Sequence, residues 1–331
     1  MPLHLQNIIG QEKAKKILCR SLAEDKIGHA YLFRGPDGVG KKSTALSFAA
    51  YLNCQNRKGD DFCGHCSSCR KFAAASHPDY LELLPTSGSL KIDQIRELKK
   101  KLTFPPFEAR FRVVLIPDIH QTLSRKEVGN SLLKTLEEPP ADTVLILTAD
   151  ESGSVLPTIM SRCQVIPFHS LPLQEISALL TAKQAMGLQE AVTLATVAGG
   201  SLGRAMMLAD AGMLTLRREV VESLQTLHVN DGAVVETVMG LAGRVAELKE
   251  ELNDFLDLLK SWVRDMLLLR LGGGLPLAMN QDLCHLYESV GDRWSVADLL
   301  GKLDCLELAR KQLNHNCNKV SVCEILFWKL L

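Results

Sequence analysis

The sequence predicts an α/β domain built on a parallel five-stranded sheet with helices on both faces, followed by a region made only of helices. Three observations lead to this prediction. Short apolar runs alternate with helical patterns in the first half of the chain, a glycine-rich loop separates the first run from a helix, and strand signals stop after Pro172. Alternation of strands and helices is typical of parallel sheets that are covered on both faces.

The predicted strands are short apolar runs bounded by Gly, Pro or Asp, at residues 29–33, 80–84, 112–116, 143–148 and 164–168. Beyond the last run, residues 173–211 predict short helices with a turn at Gly199 and Gly200, and residues 212–331 predict longer helices. The clearest helix spans residues 252–267, where apolar residues recur three and four positions apart. Pro276 and the glycines at 272–274 predict a break inside the helical region.

Composition excludes several classes of protein. The 331 residues carry 38 basic and 38 acidic side chains, so the whole chain has no net electrostatic attraction to nucleic acid. We expect any DNA contact to come from a local patch or from a larger assembly. The N-terminal residues lack the pattern of a signal peptide, and no apolar run is long enough to span a membrane, so we expect a cytoplasmic protein. Ten cysteines in such a chain indicate thiols or metal ligands rather than disulfides.

The first candidate site is the loop GPDGVGKKS, which follows the first predicted strand. It nearly matches the nucleotide-binding P-loop, in which backbone N–H groups and a lysine bind phosphates. Lys41 is that lysine, but Lys42 stands where a hydroxyl residue normally holds Mg²⁺. Ser43 is one position late, and one helical residue turns a side chain by about 100°. The predicted phosphate-binding residues, in a degenerate site, are Gly35, Gly38, Gly40, Lys41, Lys42 and Ser43.

Two readings of this loop stay open at the level of sequence: a P-loop that has lost hydrolysis, and a glycine-rich turn without a ligand. The second candidate feature, RVVLIPDIH, bears on the choice. A working P-loop enzyme places acidic residues after this strand, to hold the metal and to orient water. Here Pro117 offers no carboxylate, and Asp118 stands in the place of a glutamate. Asp118 alternatively only caps a turn.

The third candidate site is formed by cysteines with the spacing C-x8-C-x2-C-x2-C, at Cys54, Cys63, Cys66 and Cys69. Four thiolates complete the tetrahedral shell of a structural Zn²⁺. Reactive thiols and an iron–sulfur cluster are the alternatives, and His65 could compete as a ligand.

The fourth candidate is Arg162, within LPTIMSRC just before the last predicted strand. On composition alone, an arginine at the end of an element is more often an ordinary salt-bridge partner.

With these motifs together, the chain resembles the delta-prime subunits of the bacterial DNA polymerase III clamp loader, within the AAA+ superfamily. The resemblance rests on IIGQEKAKKIL, on the cysteine spacing, and on LLKTLEEPP and LPTIMSRC. It is good over roughly residues 5–210 and fainter beyond. It implies a zinc module inserted after the P-loop helix. It also implies that Arg162, in the motif Ser161–Arg162–Cys163, is an arginine finger that acts in trans on the ATP of a neighbouring subunit.

The same resemblance separates two kinds of subunit. The gamma/tau ATPases have a hydroxyl residue after the P-loop lysine and an Asp-Glu pair on the second motif, whereas this chain has Lys42 and Pro117–Asp118. In LGRAMMLAD, Gly203 stands where an ATPase has arginine, and the adjacent Arg204 is a partial replacement to consider. We therefore predict a subunit without ATPase activity of its own; whether it still binds ATP is left open. The alternative is an active clamp-loader ATPase of the gamma/tau type.

The resemblance also implies a domain plan and partners. Residues 1–170 would form the AAA+ domain with the zinc module at 54–70, residues 171–211 a helical lid, and residues 212–331 a helical collar for oligomerisation. The expected partners are gamma/tau and delta subunits in a hetero-pentamer, the sliding clamp, and primed DNA through the assembly. The chain would belong to the polymerase holoenzyme without polymerising DNA itself. A rival hypothesis is an AAA+ adaptor outside replication.

Overall fold

The computed structural model describes residues 4–57, 61–85, 89–123, 126–151, 155–184, 186–227, 232–249, 251–275, 278–287 and 293–331, without the side chains of residues 126 and 127. The chain divides into two compact units, Met1–Leu171 and Pro172–Leu331. The boundary falls where strand signals end in the sequence. The further division of the second unit into lid and collar stays a prediction.

The first unit contains a five-stranded sheet in which all neighbouring strands are parallel, in the order β2-β3-β4-β1-β5. The predicted fold class is confirmed, and each predicted run forms a strand, with ends that differ by at most two residues. The strands are β1 (Ala30–Arg34), β2 (Tyr80–Glu82), β3 (Arg112–Ile116), β4 (Thr143–Ala149) and β5 (Gln164–Pro167).

Helices cover both faces of the sheet because side chains on successive strand residues point to opposite faces. In β1, Tyr31 and Phe33 pack into one apolar cluster with α1 and α2, whereas Ala30 and Leu32 pack into another with α4 and α6. The helices of this unit are α1 (Glu12–Ala23), α2 (Lys41–Leu52), α3 (Ser67–Ala73), α4 (Ile92–Leu102), α5 (Ile119–Thr122), α6 (Lys126–Glu137) and α7 (Pro157–Met160).

The described residues of the second unit form helices and a 3-10 turn at Gln281–Leu283. Gly199 and Gly200 have positive φ angles in the turn before α10, as predicted. The clearest predicted helix, at residues 252–267, forms α13 (Leu252–Arg270). This helix ends before Gly272, where the sequence predicts a break; Pro276 lies outside the described residues. The helices are α8 (Leu173–Gln184), α9 (Leu188–Val197), α10 (Leu202–Asp210), α11 (Met213–Thr226), α12 (Val234–Ala246), α13 (Leu252–Arg270), α14 (Cys284–Tyr287), α15 (Val296–Asn314) and α16 (Lys319–Leu330).

The strand order gathers the candidate residues of the first unit. β1 lies between β4 and β5, and β4 pairs with β3, so the loops that follow β1, β3 and β4 leave the same edge of the sheet. Ligands of open parallel sheets bind outside the carboxyl ends of the strands. Gly35, Asp118 and Thr148 all lie at this edge.

Candidate functional site

The loop after β1 requires glycine for two different reasons. A Cβ on Gly35 would lie 2.2 Å from the carbonyl oxygen of Phe168, so a side chain cannot fit there. Gly38 and Gly40 have φ angles of 69° and 99°, which other residues rarely adopt. Gly40 is also the residue that precedes α2. The backbone therefore turns tightly from β1 into a helix N-terminus, which is the geometry of a phosphate cradle.

Lys41 is turned back onto this loop. Its Nζ donates hydrogen bonds of 2.6 Å to the carbonyl oxygens of Gly35 and Pro36, and the residue is only 4% exposed. Burial lowers the pKa of Lys41, although nearby carboxylates act in the opposite direction. The Gly38 N–H donates to Oδ1 of Asp37 at 2.9 Å. The loop therefore satisfies several of its own polar groups.

Lys42 approaches the acidic residue of the second motif. Its Nζ lies 4.0 Å from Oδ2 of Asp118, and its side chain is 54% exposed. Lys42 and Ser43 both line an adjacent cavity of about 460 Å³, together with Phe72 and His77. The structure thus brings Lys42, which stands where the P-loop pattern has a hydroxyl residue, near Asp118.

Asp118 is held in place by the neighbouring strand. It has a left-handed φ angle of 48° and precedes α5, but its side chain accepts no hydrogen bond from that helix, so the capping interpretation is not supported. Its N–H donates to Oγ1 of Thr148 at 2.9 Å, and this hydroxyl lies 3.3 Å from Asp118 Oδ1. Sequence reasoning missed Thr148. A hydroxyl residue near the end of a buried strand was the available signal.

A second residue that sequence reasoning missed is Gln11, within the quoted segment IIGQEK. Its Nε2 donates to the carbonyl oxygens of Val39, in the loop, and of His169. Its Oε1 accepts from the His169 N–H at 2.9 Å. Gln11 therefore joins the N-terminal segment to the phosphate loop and to the chain after β5.

The four predicted cysteines converge on one point. Their sulfur atoms all lie within 4.8 Å of one another, and the sulfurs of Cys63 and Cys69 are 4.0 Å apart. Tetrahedral Zn²⁺ with Zn–S bonds of about 2.3 Å requires sulfurs about 3.8 Å apart, so this set fits zinc. His65 is not part of the cluster, and its Nδ1 lies 2.7 Å from the carbonyl oxygen of Cys63. The four cysteines can bind a metal ion such as zinc.

Backbone N–H groups favour the thiolate form of these cysteines. The N–H of Cys63 points at Cys54 Sγ at 3.2 Å, that of Cys66 at Cys63 Sγ at 3.3 Å, and that of Cys69 at Cys66 Sγ at 3.4 Å. Burial acts to raise the pKa of Cys63, but N–H donors of His65 and Cys66 and neighbouring thiols outweigh it and lower the pKa to about 6. Burial raises the pKa of Cys54 and Cys69. Thiolates are the form that coordinates a metal.

Arg162 follows α7 and lies beside the end of α6. Its Nη2 is 2.6 Å from Oε1 of Glu137, and its Nη1 donates to the Thr158 carbonyl oxygen and to Ser161 Oγ. The side chain remains 34% exposed. Within the chain Arg162 therefore forms an ion pair, and Glu137 is a partner that the sequence did not reveal. Partial exposure still leaves the guanidinium accessible to another molecule.

In the second unit, Gly203 lies in the first turn of α10, and Arg204 beside it pairs with two carboxylates. Arg204 donates to Asp254 at 2.7 Å and to Asp257 at 2.5 Å, both on α13, and also to the Val197 carbonyl oxygen. These contacts fix its guanidinium inside the second unit.

Comparison with known proteins adds to this geometry. The family described as "DNA polymerase III, delta subunit" matches residues 10–172. A curated protein, the DNA polymerase III subunit delta' of Pseudomonas aeruginosa, is 33% identical over 314 residues, which cover 90% of each chain. The chain belongs to the delta-prime family of DNA polymerase III clamp-loader subunits. Its membership is supported by the delta' subunit of Bacillus subtilis, which is 27% identical over 95% of this chain and 94% of that protein.

Relatives named as tau subunits match over a smaller share of their own length. The tau subunit of Bacillus subtilis is 30% identical over 83% of this chain, but the match covers only 52% of that protein. Among solved structures, a gamma-subunit-related protein of Thermotoga maritima superposes with a TM-score of 0.46 at 18% identity, covering 97% of this chain and 100% of that one. In the part of the chain that the structure describes, no helix has the length and apolar character of a membrane span.

Proposed function

We propose that this delta-prime family member is a non-hydrolysing stator of the clamp loader. It holds gamma/tau and delta subunits together in a hetero-pentamer and supplies Arg162 in trans to a nucleotide on a neighbouring subunit. The assembly then loads the sliding clamp onto primed DNA. The cysteine cluster holds a structural Zn²⁺, and the helices of residues 212–331 form the collar.

The observation that carries the proposal is the contact of Lys42 with Asp118. A hydrolysing P-loop site needs a hydroxyl group and a carboxylate on the metal, and a further polar group to orient water. Here an ammonium group approaches the only acidic residue of the second motif, and Pro117 stands at the other acidic position. Gly203 provides no guanidinium, and the adjacent Arg204 is paired with two carboxylates on α13. Three parts of the hydrolytic machinery are thus replaced.

Arg162 supports the second half of the proposal. Phosphoryl transfer spreads negative charge over the γ-phosphate oxygens, and a guanidinium from another subunit stabilises that charge. Arg162 is partly exposed, and Glu137, Thr158 and Ser161 fix its direction. A fixed planar group costs less entropy when it meets its target than a mobile one.

The test uses a loader reconstituted from its partner subunits. Arg162→Ala in this chain should leave assembly unchanged and lower the DNA- and clamp-stimulated ATPase, because the one site that this subunit faces is silenced. Arg20→Ala is the matched control, since Arg20 is an exposed arginine of the same unit that also pairs with a glutamate. If the Arg162→Ala loader hydrolyses ATP and loads clamps at the wild-type rate, the trans role is wrong.

An ATPase assay of the isolated chain addresses the gamma/tau-type alternative. A subunit with its own active site would show ATPase activity alone, and that activity would depend on Lys41 rather than on Arg162. The contact of Lys42 with Asp118 is the observation that disfavours it.

A further inference from the structure

The phosphate loop of this chain does not fit the metal that P-loop sites normally use. Mg²⁺ in such sites is held by the hydroxyl group after the lysine and by an acidic residue after the neighbouring strand. Lys42 and Pro117 stand at these two positions. The hydroxyl of Thr44 is used within the helix, since its Oγ1 donates to the Gly40 carbonyl oxygen. Ser43 is one position late in the pattern, and it lines the same cavity as Lys42.

A positively charged group nevertheless lies at the position that Mg²⁺ would occupy. The Lys42 ammonium lies 4.0 Å from Asp118 Oδ2, so it approaches the carboxylate at the carboxyl end of β3 as a cation would. Thr148 fixes Asp118 from β4 through its hydroxyl. A divalent cation placed here would meet the repulsion of the ammonium group and would find no second carboxylate on this motif.

The rest of the cradle is retained. Gly38 and Gly40 keep the left-handed turns, and Gly35 keeps the close approach to Phe168. Lys41 is buried beside the loop and could exchange its two carbonyl contacts for phosphate oxygens. Lys42 then adds one positive charge to that of Lys41, at the position where Mg²⁺ would add two.

We propose that this loop binds nucleoside polyphosphates without a divalent metal, and that the Lys42 ammonium supplies positive charge at the position that Mg²⁺ occupies in hydrolysing relatives. The inference rests on one part of the proposed function, namely that this site does not hydrolyse ATP. Asp118 holds Lys42 at the metal position while the loop is empty. When a polyphosphate binds, the exposed Lys42 side chain turns from Asp118 to the phosphates.

The experiment is calorimetric titration of the full chain with ATP and with ADP, in EDTA and in excess Mg²⁺. The wild-type protein should bind in EDTA, and Mg²⁺ should not tighten binding. Lys41→Ala should abolish binding in both buffers. Lys42→Thr should weaken binding in EDTA by about tenfold, whereas Lys26→Thr, which removes an exposed lysine elsewhere in the unit, should leave it unchanged. Melting temperatures check that each variant is folded.

A double variant tests the assignment of the metal position. Lys42→Thr with Pro117→Asp returns both metal-holding groups, so Mg²⁺ should now tighten ATP binding by about tenfold or more. The proposal is overturned if wild-type binding is tenfold tighter with Mg²⁺, or if the wild-type protein binds no nucleotide in either buffer. Phosphate release in the Mg²⁺ samples is measured separately. ATP turnover would contradict the proposed non-hydrolysing function, but it would not change the measured affinities that test metal-free binding.

Discussion

At the scale of single residues, Arg162 could act through its positive charge or through the planar shape of its guanidinium. An alanine variant removes both, so a lysine variant is needed to separate them. A lysine at this position retains a positive charge and can still pair with Glu137, but it lacks the planar fork of the guanidinium. We expect Arg162→Lys to preserve the melting temperature of the chain, and to reduce the ATPase of the assembled loader nearly as much as Arg162→Ala does. Steady-state ATPase with clamp and primed DNA is the measurement. Full activity of the lysine variant would mean that only the charge matters.

Lys302 gives a residue-scale prediction for stability. It is 5% exposed in the second unit, and burial, together with the charge of Arg293, lowers its pKa from 10.5 to about 8. The folded state therefore loses this proton at a lower pH than the unfolded state does. Stability must rise with pH between about 8 and 10.5, since the unfolded chain binds the extra proton.

Lys302→Met should remove this dependence. The wild-type chain should gain about 2 kcal/mol relative to the variant between pH 7.5 and 9.5, because each pKa unit corresponds to about 1.4 kcal/mol. Urea unfolding of both proteins at the two pH values measures the difference. Parallel pH profiles would show that Lys302 has an ordinary pKa in the folded protein.

The residues that sequence reasoning found belong to local motifs, whereas those that it missed act through contacts between distant segments. Lys42 and Pro117 were identifiable because a motif fixes which residue type belongs at each position. Thr148, Gln11 and Glu137 were not, because each acts through a contact between segments distant in sequence. Such contacts follow from strand order and helix packing, which no local pattern contains.

At the scale of elements, the cysteine module shares the apolar core of the first unit. Phe62 and Phe72 pack in the same apolar cluster as α1 and α2. Cys66 also precedes α3, and its Sγ accepts the N–H of Cys69. Loss of the metal should therefore disorder the module locally and also reduce the stability of the unit, because metal binding at such a site contributes folding free energy.

We predict about one Zn²⁺ per chain, and loss of it in Cys66→Ser. Hydrogen exchange should show deprotection of residues 61–76 while β1, β3 and β4 stay protected, with a lower melting temperature. Cys317→Ser, which removes an exposed thiol outside the cluster, is the control. Purified wild-type protein without zinc, with all four thiols free to react, would rule out the structural metal.

At the scale of the whole molecule, the fold was largely predictable because its signals are local and repeated. Buried parallel strands appear as short apolar runs, and those of β1, β3 and β4 are fully apolar or nearly so. The helical second half followed from three-and-four spacing, most clearly in α13. The strand order was not predictable, because a parallel sheet accepts several orders with the same pattern. The order is what brings Asp118 next to Thr148 and across from Lys42.

The last prediction concerns hydrolysis by the chain alone. Lys42, Pro117 and Gly203 depart from the working pattern at three separate places, so we expect no ATP turnover above background. Lys42→Thr should not restore it, because Pro117 still provides no carboxylate. The double change with Pro117→Asp should restore metal dependence of binding but not hydrolysis, since Asp118 is one methylene shorter than the glutamate of the ATPases and Gly203 still lacks a guanidinium. A rate of about 1 per second or more that Lys41→Ala abolishes would show that the wild-type chain is an active ATPase.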